Sequence, residues 1–224
     1  MTIKALIFDL DGVLVDTMPL HFRAWEFIAD QHNRPFDTAM RNSFRGLPQH
    51  KCLARLFDSA VLSPEERHDI LQQKNTTYQT IIRETAPSDL LADGVLALLA
   101  SAKSHDLRLG IASSSVSAEM VIRHTGLIDI VDTFADGLVV NNGKPATDIF
   151  VWVAGALGVA PRQAVVFEDG DVGLQAANTA GMTTVGIGNG QWLAQADYQF
   201  SAMRDVNLEM LLQPANIQND KEAI

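Results

Sequence analysis

Ala5-Leu6-Ile7-Phe8-Asp9-Leu10-Asp11-Gly12 begins with four apolar residues and stops abruptly at a carboxylate. A short, continuously apolar run of this kind suits a strand buried on both faces, as in a parallel sheet. The pattern recurs at 107–112, 164–167 and 183–187. Stretches with helical periodicity lie at 95–103, 117–124, 148–157 and 172–180. Strand–helix alternation predicts right-handed βαβ units, hence an α/β fold with a doubly wound parallel sheet.

The segment 16–91 breaks that alternation. It has helical periodicity and no convincing strand, so it reads as an all-helical unit inserted after the first strand. Residues 1–15 and 92–224 then form the sheet-bearing core. Within the insertion, Ser63 followed by Pro64-Glu65-Glu66 marks a helix start, with Ser63 as N-cap and proline in the first turn. Residues 216–224 are polar, weakly patterned and expected to fray.

Bulk properties narrow the function classes. The 224 residues carry 27 acidic and 17 basic side chains, a formal net charge of -10. Such a surface repels a phosphate backbone and an anionic bilayer, so neither nucleic acid nor membrane is expected as a partner. The single cysteine, Cys52, allows no internal disulfide and fits a reducing compartment. No apolar run approaches the ~18 residues of a membrane span, and Asp9 comes too early for a signal peptide. A monomeric, cytoplasmic chain acting on a small molecule is expected.

In doubly wound sheets, ligands bind beyond the carboxyl ends of the strands. Three apolar runs deliver polar groups to that edge: Asp9-Leu10-Asp11-Gly12, Ser113-Ser114-Ser115 and Glu168-Asp169. Lys144-Pro145 lies in the loop before the helix at 148–157. If Asp9, Asp11, Glu168 and Asp169 share a pocket, four carboxylates repel one another unless a divalent cation joins them. An all-oxygen set without histidine or thiolate favours magnesium over zinc, and magnesium commonly keeps a substrate phosphate in its shell. Lys144 can balance phosphate charge, and a serine run opening a helix offers hydroxyls and free N–H groups to an anion. A carboxylate nucleophile beside a second carboxylate suggests covalent catalysis through an acyl phosphate. Singly, these features read as a turn former, an N-cap, a surface lysine and a solvated turn. Together, in order, at successive strand ends, they read as a site.

The stretch Ile7-Phe8-Asp9-Leu10-Asp11-Gly12-Val13-Leu14 resembles the first signature of the haloacid dehalogenase superfamily. Ser113 matches its second motif, Lys144 its third and Glu168-Asp169 its fourth. The resemblance implies a Rossmann-like core with Asp9 as nucleophile and Asp11 as general acid–base. It also implies magnesium held by Asp9, the backbone carbonyl of Asp11, Glu168 and Asp169, with phosphate bound by Ser113, Ser114 and Lys144. A carboxylate at position 11 is a feature of the phosphate-processing members and is absent from the dehalogenases, so dehalogenation is not expected.

Specificity is expected in the helical insertion. His21 and Trp25 are i, i+4 on one helix, and Lys74-Asn75 are in register with Leu71, Tyr78 and Ile82. A lysine on that apolar stripe is either a snorkelling edge residue or a functional one. His21-Phe22-Arg23-Ala24-Trp25 is similar to the start of the cap in β-phosphoglucomutases, Arg45-Gly46-Leu47 to their specificity loop, and Lys74-Asn75 to their Lys-Asn pair. The resemblance departs at Gln49, where mutases place an arginine that grips the second phosphate, and at Val116 and Ser117. Three functions follow: a hexose-phosphate mutase activated by a sugar 1,6-bisphosphate, a sugar-phosphate phosphatase, and a non-catalytic phosphate-binding or regulatory protein.

Overall fold

Along β1 (Ala5–Phe8) successive side chains point to opposite faces of the sheet, and both faces are covered. Leu6 and Phe8 join one apolar cluster with Leu99, Val121, Ile122 and Phe167. Ala5 and Ile7 join another with Phe150, Val153, Ala176 and Ala177. An uninterrupted apolar run is what a strand needs when neither face meets water.

The computed structural model describes residues 2–44, 47, 49–57 and 62–213. After β1 come α1 (Met18–Gln31), α2 (Thr38–Phe44), α3 (Gln49–Phe57), α4 (Pro64–Glu84), α5 (Pro87–Leu90) and α6 (Val95–Ser104). Then follow β2 (Arg108–Ala112), α7 (Ala118–His124), β3 (Thr133–Ala135), α8 (Asp148–Ala156), β4 (Ala164–Glu168), α9 (Asp171–Thr179), β5 (Thr183–Ile187), β6 (Tyr198–Phe200) and α10 (Leu208–Leu212). The six strands lie in the order β3-β2-β1-β4-β5-β6 and every neighbouring pair is parallel. The chain leaves β1 towards β2 and β3, then returns to the other side of β1 as β4. The topological switch point therefore falls between β1 and β4, where doubly wound sheets hold ligands.

β3 and β6 are additional to the strands read from the sequence. Each is an edge strand of three residues, too short to show periodicity. α7 opens at Ala118, with Ser117 as its N-cap residue. The serine run therefore precedes the helix instead of opening it. Ser115 accepts from the Ser117 and Ala118 backbone N–H groups at 3.2 and 3.3 Å.

Between β1 and α6 the described residues form helices and no strand, with α1 packed along α4. Their own apolar cluster holds Trp25, Ile28, Phe44, Cys52, Leu53, Leu56, Phe57 and Ile70. At the start of α4, Ser63 and Glu66 form a reciprocal capping box with Pro64 in the first turn. The two chain crossings run side by side: Asp16 N–H donates to Leu90 O at 2.9 Å, and Ala92 N–H to Leu14 O at 2.9 Å. Residues 216–224, expected to fray, lie outside the described residues.

Candidate active site

β1 ends at Asp9, which is 8% exposed and whose backbone N–H donates to Phe167 O at 2.9 Å. The chain then turns through Gly12, whose φ of 91° is open to glycine and costly for other residues. A Cβ there would lie 2.1 Å from Asp169 Oδ2, so the missing side chain is also what lets Asp169 approach β1.

β4 ends at Glu168 and Asp169 on the neighbouring strand. Glu168 Oε2 accepts from the backbone N–H of Asp169 at 2.8 Å and of Gly170 at 3.0 Å. Its other oxygen accepts from Lys144 Nζ at 2.6 Å. Gly173, in the first turn of α9, leaves room for that carboxylate: a Cβ would sit 1.7 Å from Glu168 Oε1.

Lys144 reaches in from the loop before α8. Its ammonium donates to Asp9 Oδ1 at 2.5 Å, Glu168 Oε1 at 2.6 Å and the Ala112 carbonyl at 3.2 Å, above the Phe150 ring. All three ion-pair partners are nearly buried. Burial works against the Lys144 charge, but Asp9 and Glu168 together more than offset it and raise its pKa. Burial holds the Asp9 carboxyl well above its usual range; Lys144 opposes this while Glu168 and Asp169 reinforce it. Burial and Glu168 likewise push Asp169 up to about 7.

One carboxylate oxygen from each of Asp9, Glu168 and Asp169 lies within 4.8 Å of the others. Three carboxylates against one ammonium leave the cluster short of positive charge. The donors are all oxygens, and two missing glycine side chains give them space. A hard divalent cation fits this set. The Asp11 carboxylate is not among them. It accepts a hydrogen bond from the Thr17 hydroxyl at the head of α1, and burial raises its pKa despite that bond. The carboxylates thus divide into a group of three and a separate Asp11.

Ser113, at the end of β2, is buried, accepts from Ser115 N–H at 3.1 Å, and donates its own N–H to Ala135 O. Ser114 is exposed. Across from the sheet, Lys74 of α4 is only 3% exposed, and its Nζ lies 3.0 Å from His21 Nδ1. An ammonium only donates, so Nδ1 accepts and neutral His21 carries its proton on Nε2. The His21 ring stacks on Tyr78 at 4.0 Å, and the Lys74 ammonium lies 5.0 and 5.7 Å from the Tyr78 and Trp25 ring centres. Burial, then Lys74, depresses His21 to about 3. Burial lowers Lys74 to about 8, although Cys52 and Asp11 pull it back up. Lys74 is a buried group, not a snorkelling one. Trp25 is buried edge-on against Phe44, and Leu47 packs on the same cluster. Asn75 is half-buried, while Gln49 is exposed at the start of α3. Gly46 and Arg45 lie outside the described residues.

Sequence reasoning did not single out Thr17, Phe150 or Gly173. Thr17 stands just before α1, a position whose N-cap character could have drawn notice. Phe150 and Gly173 become visible only when α8 and α9 are laid on the sheet.

A family model described as haloacid dehalogenase-like hydrolase matches residues 3–181. The β-phosphoglucomutase of Bacillus subtilis (strain 168) is 37% identical over 212 residues, 93% of each chain. A fructose-1-phosphate phosphatase of Escherichia coli (strain K12) is 31% identical, covering 81% of this chain and 95% of its own. Among solved structures, the β-phosphoglucomutase of Clostridium difficile superposes with a TM-score of 0.81 at 32% identity, covering 93% of this chain and 95% of that one.

Proposed function

The chain belongs to the haloacid dehalogenase-like hydrolase family, and from that premise we propose that it is a Mg2+-dependent, β-phosphoglucomutase-like phosphotransferase. In this reading it interconverts the 1- and 6-phosphates of a hexose through a phosphoaspartate on Asp9, with a 1,6-bisphosphate as activator. At a coarser level it is an enzyme of the sugar-phosphate mutase or phosphatase kind.

Asp9, Glu168, Asp169 and the Asp11 backbone carbonyl would hold Mg2+. When bound, the ion supplies a Lewis acid that draws charge from the phosphoryl oxygens. Asp9 attacks phosphorus, the bond from phosphorus to the sugar oxygen breaks, and an acyl phosphate forms. Asp11 gives its proton to the departing sugar oxygen. It later takes one from the sugar hydroxyl that attacks the phosphoaspartate. Burial raises the Asp11 pKa, which suits a group that must arrive protonated. Ser113, Ser114 and Lys144 take the phosphoryl oxygens. The helical segment 16–91 serves as a cap over the core formed by 1–15 and 92–224, and His21, Trp25, Gly46, Leu47, Lys74 and Asn75 select the sugar.

The observation that carries this reading is the bond from Thr17 to Asp11. Thr17 stands at the head of α1, and His21, one turn further on, is bonded to Lys74 of α4. The acid–base residue is thereby tied to the helical segment that would feel the sugar. A base positioned only when sugar is seated disfavours transfer to water.

A sugar-phosphate phosphatase is the second reading. It is favoured by the exposed, uncharged Gln49 and by the likeness to the E. coli phosphatase. The discriminating experiment supplies β-glucose 1-phosphate, Mg2+ and a trace of glucose 1,6-bisphosphate. Glucose 6-phosphate without free phosphate supports the mutase. Stoichiometric free phosphate overturns it in favour of the phosphatase.

A further inference from the structure

The loop that carries Asp169 is fastened from outside by a segment with no part in the chemistry above. After β5 the chain makes a 3-10 turn, Gln191–Gln195, that packs against α9. Trp192 Nε1–H donates to the Asp169 carbonyl at 2.9 Å. Gln195 Nε2–H donates to the Asp171 carbonyl at 3.1 Å, and Asn178 of α9 donates to the Gln195 carbonyl at 3.0 Å.

Burial does not account for Trp192, which is 54% exposed. It borders a groove of about 560 Å3 whose wall also includes Gly12 and Asp169. The ring lies flat over Gly190, where a Cβ would meet it at 2.2 Å, so its approach to the loop is fixed by the backbone beneath it.

The carbonyl that Trp192 engages shares one planar peptide group with Gly170 N–H. That N–H donates to Glu168 Oε2, and Glu168 Oε1 accepts from Lys144, which also holds Asp9. Rotating this peptide plane would disturb Glu168 and swing the Asp169 backbone together. Hydrogen bonds at the two ends of one peptide also polarise each other. We propose that Trp192 is a positioning residue for the cation site: its indole N–H fixes the Asp169–Gly170 peptide so that Asp169 and Glu168 present their carboxylates together. Gln195 is the second fastener of the same loop. The inference rests on the reading that these carboxylates hold Mg2+.

The test is Mg2+ titration by calorimetry of wild type, Trp192→Phe and Trp192→Ala, with Mg2+-dependent turnover measured alongside. Phenylalanine keeps a ring and removes only the donor. Loss of one such hydrogen bond is expected to weaken Mg2+ binding about 3- to 10-fold. The apparent Mg2+ constant should rise by a similar factor in both variants, while kcat at saturating Mg2+ stays within about twofold and the melting temperature is unchanged. Unaltered binding by Trp192→Phe, with loss only in Trp192→Ala, assigns the effect to the ring and overturns the proposal alone. Absence of Mg2+ binding by the wild type overturns the metal-site reading and the proposal with it.

Discussion

The Lys74 ammonium donates to His21 Nδ1 across 3.0 Å, joining α4 to α1 beneath the Tyr78 and Trp25 rings. Burial first, and then the Lys74 charge, keep half-buried His21 a neutral base next to a cation. Protonating it would place two positive charges in contact.

The pH dependence follows from that. His21 titrates at about 3 in the folded chain, against ~6.5 when unfolded. Between those values the unfolded chain binds the extra proton, so stability falls as pH drops, by up to ~1.4 kcal/mol per pH unit from this residue. Chemical denaturation at pH 7, 6 and 5 should show His21→Phe, which keeps the stack on Tyr78, losing less stability on acidification than the wild type. Parallel profiles would show that His21 is not held neutral.

Lys144→Met tests the buried ion pairs. Removing the ammonium leaves Asp9 and Glu168 facing each other with no counter-charge. Breaking a buried pair in this way costs about 3–5 kcal/mol. Denaturant unfolding without divalent cation should show a loss of that order, partly restored by millimolar Mg2+. A variant as stable as the wild type without Mg2+ would argue against the geometry.

Gly173→Ala sets helix propensity against packing. Alanine in place of a helical glycine should stabilise by up to ~1 kcal/mol. Here its Cβ would lie 1.7 Å from Glu168 Oε1, so the carboxylate must leave its bonds to Lys144 and the loop. The variant is expected to be less stable and to bind Mg2+ weakly. A gain in stability with normal Mg2+ binding would contradict the placement of Glu168.

Asp11→Asn separates proton transfer from cation binding. The Asp11 carboxylate faces Thr17 and lies apart from the Asp9, Glu168 and Asp169 group, while its backbone carbonyl survives the substitution. Mg2+ affinity should hold, and kcat should fall about 10^2- to 10^4-fold. Loss of Mg2+ binding would mean that the side chain itself is a ligand.

The central strands were legible because a strand covered on both faces must be apolar along its buried length, and Ala5–Phe8 and residues 164–167 are. The edge strands Thr133–Ala135 and Tyr198–Phe200 were not, since three half-covered residues carry no period. The acidic site was legible because parallel strands deliver Asp9 and Glu168 to the same edge. The division of the carboxylates was not legible from spacing and was implied only by the family resemblance, because Asp11 is drawn aside by Thr17, at the head of the next element. Neither was the role of Trp192, whose contact with the Asp169 loop exists only once β5 lies beside β4. Sequence patterns reveal what each element must bury. They do not reveal which side chain of one element reaches the backbone of another.

The most direct test looks for the phosphoryl group on Asp9. Turnover of β-glucose 1-phosphate with Mg2+ is quenched in acid, and the peptides are analysed by mass spectrometry. The expected result is phosphate on the peptide carrying Asp9 in the wild type, with neither label nor activity in Asp9→Asn. Turnover without any phosphorylated Asp9 peptide, or activity surviving in Asp9→Asn, would contradict the phosphoaspartate mechanism.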